Sequence, residues 1–512
     1  MKRILLNIIA ICFVSNVFSQ ALNTYEQDFK ELTNIVHSSY PLNDSINNLL
    51  LKCEPDYLQK LKNCEDKDMF LIVAEQYLAK LNDGHTKIDC YQPFTRKGYH
   101  QIKFNFINDR LYISNYSNSV PDNYIGKEVI EINGIDIKTI FQKAKDYISA
   151  DNDVCSNNYL SYLLRLPTFL DFLGIDTNSE LELKLKDETV LIWFRDTEKK
   201  EAYVKYNDES YPIDNQNLTY YKAKENELTG WSNKLFEYKI LEESNTCYFN
   251  FRECLDIQWL NTSKGAFKPF PNWLVKIFWW FRGGNFSTFC KKMFKAIDKN
   301  NIENLIIDLR PNRGGTSILG YQLLDYLTDI ENLKDYNEQL VLSDLLKSNH
   351  PDYFNQVVQE EHLTVDSLPQ IITSDNSNGV NDYLRAKDSP YYQAKPTKKF
   401  KGKVYVMVGD RTFSSAAMIA VLFADNNLAT IVGNPMGMGA SSCGEVLSFA
   451  LTNTAVKGTL SCKKFTRPNN DLGKELSIDI PLTNTERNNY EGVDYEFEEL
   501  LKIINNDNKI VN

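Results

Sequence analysis

The chain of 512 residues has no Cys-x-x-Cys pair, few histidines and no apolar run long enough to cross a bilayer. Without closely spaced thiols, zinc-ribbon and dithiol redox chemistry are excluded as leading readings. The net charge of -11 gives no global basic balance, so the electrostatic footprint of a nucleic-acid partner is missing. An acidic balance mainly favours solubility. No convincing internal repeat and no long low-complexity segment appears, which argues against a solenoid or a disordered chain.

Hydrophobic residues make up 43% and aromatics 12%, enough for a sizeable packed core. The length suggests about three to four units. Lys2 and Arg3 precede an apolar stretch from Ile4 to about Phe18, with Val17 and Ser19 at a plausible cleavage site before Gln20. Residues 1–19 therefore read as a secretory signal peptide, and the protein as exported, periplasmic or extracellular. Asn7, Ser15 and Asn16 interrupt the stretch, which is too short for a stable membrane span. The aromatic segment Asn272–Phe281 is also too short, and reads as core packing or a cleft wall. Nine cysteines follow the leader: Cys53, Cys64, Cys90, Cys155, Cys247, Cys254, Cys290, Cys443 and Cys462. Cys53 with Cys64, or Cys247 with Cys254, could pair by proximity. Buried free thiols are the alternative.

Periodicity divides the rest. Residues 20–95 show apolar positions three to four apart, and Asn82-Asp83-Gly84 reads as a helix stop. Residues 96–200 alternate in short strands. A turn at Asn108-Asp109 and another at Asn133-Gly134 mark hairpins, and the second is followed by a helix. That order resembles the PDZ type of carboxylate-binding module. Residues 180–235 continue strand-like and polar. From 237 to 512 strands alternate with helices, which predicts an α/β core. The polar, turn-rich 335–400 stretch is expected to be a surface excursion.

Three segments can carry chemistry. In Val404–Ala424 a strand runs into a turn and then a helix, with Ser414 and Ser415 at the turn. A serine there has its hydroxyl free to face a cleft, and the helix N-terminus directs N–H groups towards it. Thr412 or Ser414 acting only as a helix cap is the plain alternative. In Leu305–Gly315 an apolar strand ends in Asp308-Leu309-Arg310 and then Gly314-Gly315, where paired glycines allow positive φ and expose a backbone N–H. In Leu81–Ile88, His85 sits in the turn after a helix, as a general base could. It is one of five histidines, with His37, His100, His350 and His362.

In this order the three segments resemble the S41, tail-specific or C-terminal-processing, serine peptidase family. The matching stretches are Leu81-Asn82-Asp83-Gly84-His85-Thr86, Asp308-Leu309-Arg310-Pro311-Asn312-Arg313-Gly314-Gly315 and Thr412-Phe413-Ser414-Ser415-Ala416. The segment Ile431–Asn453 resembles a fourth family stretch. The resemblance implies an α/β fold with a ClpP/crotonase-like core, a helical N-terminal part and a PDZ-like β-rich module. It makes Ser414 the nucleophile and puts the oxyanion hole at Ser415 with Gly314 or Gly315. It implies protein or peptide substrates, no cofactor and no metal. The Ser–Lys branch has a lysine where this chain has Met436-Gly437-Met438-Gly439, and a glutamate where it has Ala417. Lys463 and Lys464 are poor substitutes. The histidine-using, tricorn-like branch is the nearer one, with His85 as base. Gly84 replaces its assisting serine. Glu491 is the first candidate for the distant glutamate, and Glu475 the second. An inactive S41-like peptide- or ligand-binding protein is the alternative reading.

Overall fold

The computed structural model describes residues 23–88, 92–95, 98–107, 109–116, 124–177, 180–196, 201–206, 209–212, 234–262, 282–365, 367–375, 379–482 and 493–511. The expected leader, Cys90, the aromatic segment Asn272–Phe281 and Glu491 lie outside the described residues.

Among the described residues, three helices come first: Thr24–Ser39, Asp44–Leu61 and Lys67–Ala79. Each starts on a side-chain cap, Asn23, Asn43 or Asp66, which accepts an otherwise orphaned N–H. Asn23 and Glu26 form a reciprocal capping box. The predicted stop is real: Asn82 takes φ 51, a left-handed conformation that asparagine tolerates. The apolar faces of these helices meet around Phe29, Leu32, Phe70 and Tyr77, and Phe449 and Leu460 from far along the chain complete that core.

A short strand, β1 (Lys87–Ile88), leads into the β-rich region: β2 (Ile102–Ile107), β3 (Arg110–Tyr116), β4 (Glu128–Ile132), β5 (Ile135–Asp136), β6 (Glu180–Leu185), β7 (Val190–Asp196), β8 (Glu201–Tyr206) and β9 (Glu209–Pro212). They form one antiparallel sheet of order β2-β3-β4-β6-β7-β8-β9, with β5 hairpinned onto β4. Asn133 and Gly134 both have positive φ, as a tight hairpin turn requires. The helices Ile137–Ala144 and Asp153–Leu163 fill the gap between β5 and β6.

The α/β core follows: β10 (Phe236–Leu241), β11 (Thr246–Phe251), β12 (Asn304–Asp308), β13 (Asn337–Leu342), β14 (Gln370–Asp375), β15 (Lys403–Val408), β16 (Thr430–Gly433), β17 (Ser442–Ala450), β18 (Lys457–Thr466) and β19 (Ile480–Pro481). The main sheet has order β10-β11-β12-β15-β16-β19 and is parallel from β11 onward. Its central strands β11, β12 and β15 are buried on both faces almost throughout, as parallel strands covered by helices should be. Leu305, Ile307, Val406 and Val408 face one core, shared with the helices Phe286–Lys299, Ile318–Leu324 and Ser415–Asp425. Ile306, Tyr405 and Met407 face the other, closed by Phe497, Leu500 and Ile504 of the helix Tyr495–Val511.

Two expectations fail. Residues 335–400 are not a mere surface excursion: β13 pairs with both β14 and β18. Leu340, Leu342, Leu346 and Phe354 are buried in a core of their own. The burial of β13 runs from exposed at its start to fully buried at its end, which gives no clean alternation to read. The proximity pairs of cysteines also fail, since Cys53, Cys64, Cys247 and Cys254 are all free thiols. Among the described residues no helix is long and apolar enough to cross a membrane.

Candidate active site

Strand β15 ends at Val408, and a turn of six residues carries the chain to the helix Ser415–Asp425. Thr412 braces that turn rather than capping the helix. Its hydroxyl donates to the Leu309 carbonyl at 2.9 Å and accepts the Gly409 N–H at 3.0 Å. Ser414 does not cap either. It sits at φ 53, ψ -133 with no side-chain capping bond. A non-glycine residue in that region is strained, and such strain gathers at working sites. The Ser414 N–H donates to Met438 Sδ at 3.0 Å, so the methionine-glycine stretch supports the serine.

The glycine pair packs directly against this turn. Gly314 has φ +97, and a Cβ on it would lie 2.6 Å from Ser414 Cβ and 2.9 Å from the Ser415 nitrogen. Gly315 has φ +139, and a Cβ there would lie 2.4 Å from the Cys254 carbonyl oxygen. Only glycine fits both conformation and space. Buried Asn312 ties the parts together. It donates to the Phe251 carbonyl at 2.9 Å and accepts the Gly314 N–H at 2.8 Å. Its own carbonyl accepts the Phe413 N–H at 3.1 Å. The Gly314 N–H therefore already has a partner within the turn. The Ser415 hydroxyl donates to the Gly315 carbonyl at 2.9 Å.

His85 arrives from the other end of the chain. Its Nε2 lies 3.1 Å from Ser414 Oγ, and its ring packs on Phe413 with centroids 4.7 Å apart. The turn is fastened to β18: β1 pairs with Gly458 and Thr459, the Thr459 hydroxyl donates to the His85 carbonyl, and the Ser461 N–H donates to Thr86 Oγ1. Asp83 Oδ1 accepts the His85 backbone N–H at 2.9 Å and stands 3.6 Å from His85 Nδ1. That is ion-pair range but too long for a hydrogen bond. The Thr86 and Ser461 hydroxyls donate to Asp83 Oδ2 at 2.5 and 2.7 Å.

These surroundings set the protonation states. Burial works to raise the Asp83 pKa, but interactions with His85, Thr86 and Ser461 hold it below the usual carboxylate value. Burial works to lower that of His85, and Asp83 with Asp151 outweighs it, so the imidazole is a stronger base than usual. Asp151 is pushed up to about 7, first by burial and then by the charge of Asp83. Its Oδ2 accepts the Gly84 N–H at 2.9 Å. A Cβ on Gly84 would lie 2.9 Å from that same oxygen, so the absence of a side chain at Gly84 is what admits Asp151.

The other candidates separate. Glu475 accepts from Asn152 Nδ2 at 3.2 Å and is raised mainly by burial. No described contact joins it to His85. Lys463 donates to Glu338 at 3.0 Å and is held well above its ordinary value despite burial, so it is no proton acceptor for Ser414. Asp151 has no sequence signal beyond its place before a helix-capping asparagine. Asp83 had only its nearness to His85.

Residues 278–475 match the model of Peptidase family S41. A serine-type peptidase is what this match supports. Among solved structures, mature CPAF complexed with lactacystin aligns with a TM-score of 0.59 at 16% identity, covering 96% of this chain and 99% of that one. A second crystal structure of mature CPAF aligns with the same TM-score at 15% identity, covering 94% of this chain and 98% of that one. At such identity the likeness is one of fold. The photosystem II D1 C-terminal processing protease aligns at TM-score 0.40 and 11% identity over 94% of this chain and 98% of that one. No curated protein matches the sequence.

Proposed function

We propose that the chain is an exported serine endopeptidase of the histidine-using S41 type, acting through a Ser414 acyl-enzyme. The observation that carries this reading is the 3.1 Å contact of His85 Nε2 with the hydroxyl of a conformationally strained serine. His85 takes the Ser414 proton as Oγ attacks the substrate carbonyl carbon. The oxyanion receives the N–H groups of Ser415 and Gly315, with the N-terminal dipole of the Ser415–Asp425 helix behind them. The imidazolium then protonates the leaving amine, and the ester is resolved by water activated by the same imidazole. Asp83 holds the His85 backbone and stabilises the charge on its ring, the part first given to Glu491 or Glu475. Carboxylates near the base favour the cationic ring in the transition state.

Protein or peptide substrates follow from the peptidase reading. The 96–200 region, read as PDZ-like, would hold an extended C-terminus by strand addition. The basic, apolar leader supports export. The test is hydrolysis of an unfolded protein by wild type and Ser414→Ala, with fluorophosphonate labelling as a second measure. Equal cleavage by both forms, or labelling elsewhere, would sink Ser414 as nucleophile.

A further inference from the structure

Asp151 comes from outside every stretch that resembles a peptidase motif. It lies just before the helix Asp153–Leu163, whose N-terminal region is pinned to the catalytic loops at several points. The Asp151 carboxyl accepts the amide of Gly84, next to the histidine. Asn152 Nδ2 donates to the Met436 carbonyl at 3.1 Å, beside the segment that supports Ser414. Asn158 Nδ2 donates to the Asp410 carbonyl at 2.8 Å, in the turn that leads to Ser414. One side-chain atom from each of Asp83, His85 and Asp151 lies within 4.8 Å of the other two. Among the described residues, no hydrogen bond reaches the buried Nδ1 of His85. Two carboxyl groups thus converge on one imidazole, with Lys87 as the cation acting on the ring. Cys155 faces Asp151, and Tyr40 and Cys443 face the pair, but all three thiol or phenol groups are raised and neutral at physiological pH.

We propose that Asp151 is a positioning residue for the His85 base: held by the Gly84 amide, its carboxyl supplies a second, titratable negative charge beside the imidazole. The inference rests on the reading of His85 as the base. When Asp83 alone is ionised, one charge supports the ring. When Asp151 also loses its proton, repulsion between the carboxylates is relieved by a protonated imidazole, so His85 becomes more basic. The raised Asp151 agrees with this order.

The experiment follows the five histidines by NMR with ring-labelled protein from pH 5 to 9. It uses Ser414→Ala as background, with the His85 signal assigned by its loss in His85→Ala. Asp151→Asn keeps an acceptor for the Gly84 amide and removes the charge. The expected result is a drop in the His85 midpoint of about one pH unit, with a two-step curve simplified to one. A matching shift is expected in the pH profile of fluorophosphonate labelling when Ser414 is present. Unchanged midpoint and profile in Asp151→Asn would overturn the proposal and leave Asp151 as a mere brace of the turn. In that case only Asp151→Ala would lose labelling, by disordering Gly84. Absent proteolysis with the His85 shift intact would remove the peptidase reading and leave the charge coupling standing.

Discussion

Two charge clusters, one at Arg310 and one at His85, are built on opposite plans. At Arg310, one guanidinium meets Asp308, Asp494 and Glu496 at 2.7, 2.6 and 2.7 Å. Burial pulls the Arg310 pKa down, and the surrounding carboxylates drive it well above its ordinary value. The pair with Asp494 and Glu496 ties the final helix to the strand end that leads into the Gly314-Gly315 turn. At His85, two carboxyls meet a ring with no permanent charge, and one acid is raised while the other is lowered. A cluster whose charges are fixed and fully bonded holds shape. A cluster whose members are pushed apart in pKa can move protons.

The sharpest test of this contrast is to remove the members proposed to do the chemistry. Ser414→Ala and His85→Ala should each lower proteolysis by about 10⁴-fold, roughly 5.5 kcal/mol in the barrier, with folding intact. Kinetics on an unfolded substrate with a circular dichroism melt checks both halves. Arg310→Met should instead strike the fold. It leaves three carboxylates buried against one another, at a cost of about 3–5 kcal/mol in denaturant unfolding. If Arg310→Met melted like wild type, the structural reading of that cluster would fail.

Asp83→Asn keeps most acceptors of the turn but removes the charge facing His85. We expect a fall of about 10²-fold in kcat/KM, near 2.7 kcal/mol, with a smaller change in KM. The pH dependence of stability distinguishes the two acids. The lowered Asp83 contributes stability that is present above the unfolded carboxylate value and lost as pH falls through its folded pKa. The raised Asp151 contributes stability below the unfolded value that is lost as pH rises towards about 7. Asp151→Asn should therefore gain on wild type between pH 5 and 8, on the order of 1 kcal/mol in thermal unfolding. Last and smallest, Ser414→Gly should be more stable than Ser414→Ala by about 1 kcal/mol, because glycine relieves the positive φ.

Much of the site could be read from local chemistry. Ser414 stood out because a strand, a turn and small residues lie in one short segment, and Gly314-Gly315 because paired glycines after an apolar strand mean unusual backbone. The helix stop at Asn82 placed His85 in a turn. The segment containing Asp151 carries the same asparagines and aspartates as any helix start, and its value depends on contact with Gly84, 67 residues away in sequence. Asp83 was visible as a neighbour, but its charge is stabilised by Ser461, 378 residues along the chain. β13 escaped notice because it passes from exposed to buried along its length, and β14 because an apolar residue, Ile371, stands on its exposed side.

What the amino-acid sequence by itself determined is the local part. It set the capped helices, the Asn-Gly hairpin, the buried parallel strands, the strand-turn-helix that carries Ser414 and the glycines without side chains beside it. Such features follow from backbone conformation, capping and periodicity within a few residues. The meeting of His85 with Ser414 across 329 residues was decided only by tertiary structure. So was the choice of Asp83 and Asp151 as its acidic company. Proton affinity depends on through-space charge and burial, and these exist only once distant segments pack together.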